Sequence, residues 1–156
     1  MIKTIAIIIK PFLKLLDFLT PLGDLLARVW IAWIFLKAGL VKIQSWQVTI
    51  MLFTNEYHVP FLSAKMAAII GTGAEIILPI LLVLGLGGRI TIFIFFVYNA
   101  VAAFSYPHLW TPDGALGLDQ HINWGLLLAL LMFHGSGKLS LDYWIRKRHG
   151  HHLQFR

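Results

Sequence analysis

The residues of this chain that could do chemistry are few, and several stand inside long apolar runs. Lys37 lies in the run 25–43, Glu75 in 66–84 and Asn99 in 90–106. A charge at the centre of a membrane helix costs about 2.5–3.5 kcal/mol on insertion scales, so such residues are functional candidates by default. At about 1.5 Å of rise per residue, Glu75 falls near the middle of its run. Lys37 falls about 5 Å and Asn99 about 1.5 Å outward of the middle of theirs. The three define a mid-membrane polar layer suited to handling a proton or recognising a polar head group. Pro79 lacks the N–H that would bond the Glu75 carbonyl, and Gly71 lets another helix approach. Two structural alternatives stand beside this reading: Lys37 snorkels toward water, or Lys37 and Glu75 pair only to pin two helices together.

An outer layer holds Lys42, at the end of the first run, and His121, at the start of the last. His58 and His108 come from the loops on that side, with Glu56, Asp113 and Asp119 nearby. His58, His108 and His121 are the candidates for a divalent ion. They lack a close His-x-x-His spacing, so no metal is assigned. Arg28 and Arg89 are basic residues at the opposite, inner side. At about 100° per residue, Arg28, Phe35, Gly39 and Lys42 share one face of a helix, and Lys37 points almost opposite Arg28. One of these bases therefore faces lipid or a second protein. Intramembrane haem is not expected, because His121 and His134 share one helix about 20 Å apart. Cysteine is absent, which removes disulfide, thiolate-metal and Fe–S chemistry from this chain. His149, His151 and His152 sit beside Arg146, Lys147 and Arg148, and read as part of a basic tail.

The elements that position these residues are helices in a membrane. Hydrophobic residues make up 58% of the 156 and charged ones only 13%, against about 25% charged in a soluble domain. The mean hydropathy is +0.77. The net charge of +6 fits cytoplasmic loops facing anionic lipid better than nucleic acid. The pattern predicts an all-α fold, a membrane four-helix bundle with spans at about 25–43, 66–84, 90–106 and 120–133. The last is expected to be the shortest. Residues 1–22 are expected to form a retained amphipathic interfacial segment, with Ile5, Ile8, Phe12 and Leu16 against Lys10, Lys14 and Asp17. Pro21 and Gly23 are expected to break it from the domain, 23–145. Residues 44–64 suggest a short interfacial or re-entrant helix, 107–119 a turn-rich loop, and 146–156 a basic tail. Lysines and arginines gather before the first run, at Arg89 and after the fourth, which places both termini in the cytoplasm.

In order and spacing these residues resemble the DoxX family of small bacterial membrane proteins. The resemblance covers about 25–145. It rests on Arg28, on the run Lys37, Ala38, Gly39, Leu40, Val41, Lys42, and on Glu75 between Gly71 and Pro79. Gly85 with Arg89, His121 with Trp124, and the Gly-x-Gly-Lys-x-Ser-x-Asp ending from Gly135 to Asp142 also match, and 55–60 looks like one branch of the family. The family takes its name from a small membrane subunit associated with thiosulfate:quinone oxidoreductase, and other members are linked to oxidative-stress or redox complexes. The resemblance thus implies an inner-membrane protein that is a subunit of, or accessory to, a quinone-linked redox complex. The alternative is a non-enzymatic anchor or a metal- or small-solute-handling accessory. No nucleophile–base constellation marks an autonomous enzyme. Quinone is the cofactor this reading admits. The partners it implies are the bilayer, neighbouring membrane or periplasmic proteins, and a second copy of the chain.

Overall fold

The computed structural model describes residues 2–149, with side chains from 9 to 148. It is all-α, with no strand among the described residues. The helices are α1 (Ile2–Gln44), α2 (Trp46–Asn55), α3 (Ala64–Leu84), α4 (Gly88–Ser105), α5 (Ala115–His134) and α6 (Leu141–His149). Two 3-10 turns, Pro107–Trp110 and Pro112–Gly114, precede α5. Three stretches are long and apolar enough to cross a membrane: Ala64–Leu84, Gly88–Ser105 and Pro112–His134.

Two boundaries differ from expectation. Pro21 and Gly23 do not break the chain, and α1 runs through both. A proline inside a helix removes one donor and leaves one carbonyl unserved. Gly23 does not take the left-handed conformation that ends helices. With no cap on offer, the helix continues. Lys10, Lys14 and Asp17 are exposed there, and so are Phe12, Leu15 and Leu16; the Ile5 and Ile8 side chains lie outside the described residues. The second difference is α5, which begins at Ala115 rather than near 120 and has 20 residues. The Thr111 hydroxyl accepts from the Gly114 N–H and closes the turn early, so Asp119 and Gln120 ride on an exposed helical face. The segment 44–64 holds a helix, α2, as expected.

The core lies where α1, α3, α4 and α5 meet. Ile31, Ala32 and Phe35 of α1 pack with Leu78 and Leu82 of α3, Ile92 and Phe95 of α4, and Leu128 and Leu131 of α5. Phe35 is central, edge-on to Phe95 at 4.8 Å and to Trp124 at 5.3 Å between ring centroids. Phe53 of α2 packs against Ala67 and Ala68 at the start of α3. The α3–α4 turn closes through Gly85, at φ +65°, with Leu86 N–H donating to Leu81 O at 3.0 Å. That is a Schellman ending, which glycine adopts without a Cβ clash.

Gly39 sets the α1–α3 spacing. A Cβ there would stand 2.9 Å from Ile76 Cγ1 and 3.0 Å from Glu75 Cβ. Gly39→Val is therefore expected to destabilise the protein by about 1–3 kcal/mol, the range for overpacking. A thermal melt in detergent checks this, and an unchanged midpoint would contradict the close packing.

Candidate functional site

Depth and rotation along α1 and α3 bring Lys42 to Glu75. The Lys42 ammonium reaches both carboxylate oxygens, at 2.5 and 2.6 Å, and both side chains are largely buried. Gly39, one turn before Lys42, lets α1 lie against Glu75. Thr49 Oγ1 donates to the Lys42 carbonyl at 2.8 Å, which ties α2 to the end of α1. On α4, Tyr98 donates its hydroxyl to Gly71 O at 3.1 Å.

Across the same space, α4 and α5 hold a second pair. Asn99 Nδ2 donates to the His121 carbonyl at 2.9 Å, and Asn99 Oδ1 lies 2.9 Å from His121 Nδ1. The amide is fixed by its backbone contact, so Nδ1 is the ring donor and Nε2 is left as the acceptor. Gly125 makes room, since a Cβ there would stand 3.2 Å from Asn99 Nδ2. Trp124 lies edge-on to the His121 ring at 4.8 Å.

These groups surround one cavity of about 270 Å³. Lys42, Glu75, Tyr98 and His121 supply its polar edges, and Phe35, Ala38, Ala67, Ala102 and Trp124 are among its apolar walls. Phe53, Tyr57 and Tyr106 also line it and stack in sequence, at 4.6 and 4.8 Å. Tyr106 donates to Glu56 Oε2 at 2.9 Å, and this bond to the carboxylate raises the Tyr106 phenol above its ordinary pKa. Burial pushes Tyr57 up to about 12, with the Glu75 charge adding to it. An unfolded tyrosine ionises near 10. Between those two values the unfolded state binds fewer protons, so stability should fall as pH rises through that window. Phenolate absorbance of Tyr57→Phe against the parent checks this: the difference should titrate near 12, not near 10.

Arg28 serves the far end of the same helices. It is fully buried. Its guanidinium donates to Asp24 O at 3.4 Å, Leu82 O at 3.4 Å, Val83 O at 3.3 Å and Leu139 O at 2.5 Å. Ser140 Oγ donates to Gly137 O at 2.8 Å, and Asp142 N–H donates to Gly85 O at 3.4 Å. His134 Nδ1 lies 3.0 Å from Asp24 Oδ1. The Gly-x-Gly-Lys-x-Ser-x-Asp segment thus wraps the α3–α4 turn, with Arg28 beneath it.

The family model described as DoxX matches residues 23–108. The chain belongs to the DoxX family. The match takes in Asp24, Arg28, Lys42, Glu75, Gly85 and Asn99, and so both polar pairs except His121. No curated protein and no solved structure matches the chain. The family and the apolar helices together make this DoxX protein an integral membrane protein.

Within this DoxX chain the expected layers are rearranged. Lys37 does not join Glu75; it is exposed, on the face of α1 opposite Arg28. Lys42, expected farther out, is the partner of Glu75. Asn99 and His121, expected in different layers, are hydrogen-bonded to each other. Arg89 is at the α4 start and donates to Phe133 O at 3.1 Å. His58 and His108 line a separate surface hollow with Glu56 and Tyr106, away from His121. Among the described residues no three His, Asp or Glu side chains are grouped to hold a metal ion. Arg146, Lys147 and Arg148 lie on α6, whereas His151 and His152 lie outside the described residues. Tyr98, Thr49, Gly125 and the Asp24–His134 pair did not stand out in the sequence. Only Tyr98 left a trace, as a polar-tipped residue beside Asn99 in an apolar run.

Proposed function

We propose that this protein is a four-span inner-membrane subunit of, or accessory to, a quinone-linked redox complex, and that the cavity holds the quinone head group. The N-terminal half of α1, the α3–α4 turn and α6 face the cytoplasm in this reading, following the basic residues. The observation that carries it is the convergence of Lys42–Glu75, Tyr98 and His121 on one apolar-walled cavity of about 270 Å³. A cavity near 150 Å³ accepts benzene, so this volume suits one substituted ring. The third Lys42 N–H, not taken by Glu75, suits one ring carbonyl, and His121 Nε2 suits the hydroxyl of the reduced form; Tyr98, whose proton goes to Gly71 O, is left as an acceptor. Glu75 and His121 are also the groups that would pass a proton as the ring changes redox state.

Access supports a lipid-soluble ligand. Leu62, Ile70 and Val101 line the cavity and are also exposed, at 39%, 49% and 44%. The rim between α3 and α4 is therefore apolar, as an entry from the bilayer requires.

The test is quinone bound to protein purified from its own membranes, followed by titration with a short-chain quinone read by indole fluorescence. Saturable quenching is expected in the parent chain and a loss of at least tenfold in affinity for Ala102→Phe, which fills the cavity. Quinone-free protein in a fully active complex would remove the proposal.

A further inference from the structure

The face of α1 turned away from the core carries Leu26, Trp30, Trp33, Lys37, Leu40 and Gln44. Their spacing alternates four and three residues, the repeat with which a helix presents one seam to a neighbouring helix. All six are exposed; Leu26, Trp30, Trp33 and Leu40 are 61%, 66%, 62% and 46% exposed. Lys37 sits about 3 Å from the level of Gly39 along the axis, and Gly39 packs against Glu75. In the four-span reading, on which this surface depends only for its depth, Lys37 and Trp33 therefore lie deep in the hydrocarbon.

Such a face is unlike an ordinary lipid-facing one. It carries one ammonium and two indole N–H donors with no acceptor among the described residues. Tryptophan belongs at membrane interfaces rather than at depth, and a charge there is expensive unless paired. By contrast, Trp110 donates to Ala103 O at 3.0 Å.

A second copy of this chain does not answer the charge. Its seam would set Lys37 against Lys37, and like charges repel strongly at low dielectric. The chain has seven Asp and Glu residues. Asp24 and Glu75 are buried and paired. Asp17, Glu56, Asp113, Asp119 and Asp142 lie in the N-terminal half of α1, in the α2–α3 loop, before or near the start of α5, and on α6. None is exposed at the depth of Lys37.

We infer that this face of α1 docks a transmembrane helix of a different protein, one carrying an aspartate or glutamate near mid-membrane that pairs with Lys37. The partner's helix would fill the seam beside Trp30 and Trp33, and its backbone or side-chain oxygens would take the indole N–H groups. The surface lies on the opposite side of α1 from the Lys42–Glu75 pair, so it stands or falls independently of what the cavity binds.

The experiment replaces Trp33 by the photocrosslinker p-benzoylphenylalanine in the full chain, in its native membranes. The control carries the same probe at Phe93, exposed on α4. One discrete protein adduct is expected from the Trp33 probe and lipid adducts alone from the control. The identified partner should have a carboxylate within a transmembrane segment. Lys37→Met should cut the adduct at least tenfold without moving the melting midpoint, since Lys37 is exposed and makes no hydrogen bond or ion pair among the described residues. Lys37→Glu combined with lysine at the partner's acid should restore it. An adduct with a second copy, lipid adducts only, a partner without a membrane carboxylate, a moved midpoint, or full yield in Lys37→Met would each overturn the inference.

Discussion

Arg28→Leu is expected to destabilise this protein by about 3–5 kcal/mol, the range for removing one partner from a buried charged network. The residue is fully buried, and its guanidinium spreads over four carbonyls from three segments. Leucine would strip the side-chain donor from all four oxygens, and although Leu82 O keeps its bond from Gly85 N–H, an oxygen that nothing else can reach is a loss of about 1–3 kcal/mol. Asp24 would also lose its nearest fixed cation, with only His134 left beside it. Relaxation lets some of these groups find water at the protein's end, which brings the total down to the range given. At roughly 2–4 °C per kcal/mol for a chain of this size, the melting midpoint should drop by about 6–20 °C. Arg28→Lys keeps the charge but not the planar fork, and three donors on one nitrogen cannot serve carbonyls on opposite sides. It should recover less than half of the loss. The damage should stay at the α3–α4 turn: protease should open 135–142 before α2 is touched. If Arg28→Lys melted like the parent, Arg28 would be acting as a point charge and not as a scaffold.

Arg28 also shows why some residues could be read in advance and others not. A charge in an apolar run is conspicuous whatever its neighbours do, so Arg28, Glu75 and Asn99 stood out. Pairing is harder, because it depends on how each helix is rotated and tilted. Depth alone put Lys37 in one layer with Glu75 and left their pairing as one alternative. The face shared by Arg28, Phe35, Gly39 and Lys42 gave the opposite answer, and that is the face α1 buries. Lysine explains the error in part: its four-carbon stem lets Nζ lie several ångströms from the level of its own Cα. Asn99 and His121 were separated by a different cause. A helix beginning near 120 would leave His121 at its mouth, whereas α5 starts at Ala115 and sets His121 in its second turn, at the level of Asn99. The α1 boundary failed for want of a competing conformation: Pro21 and Gly23 weaken a helix but do not cap one. The cavity itself was invisible, because it depends on the space left where α1, α3, α4 and α5 diverge around Trp124 and Tyr98.

The Lys42–Glu75 pair separates a structural role from a chemical one. Glu75→Gln should lower stability by about 3–5 kcal/mol if Lys42 stays charged, because a buried ammonium is then left without a counter-charge. Lys42→Met alone should be damaging for the mirror reason. The double variant Lys42→Met, Glu75→Leu should return close to parental stability, since well-packed apolar replacements of buried pairs are often neutral or stabilising. Binding should not follow stability. If the pair recognises a ring carbonyl, a charged hydrogen bond contributes about 1.5–3 kcal/mol, so both single variants and the restored double variant should bind a short-chain quinone roughly 10- to 150-fold more weakly. A double variant that is stable and binds as the parent does would show that the pair only pins α1 to α3. A stable double variant that no longer binds would place the chemistry at these two side chains, because the apolar walls of the cavity would still be in place.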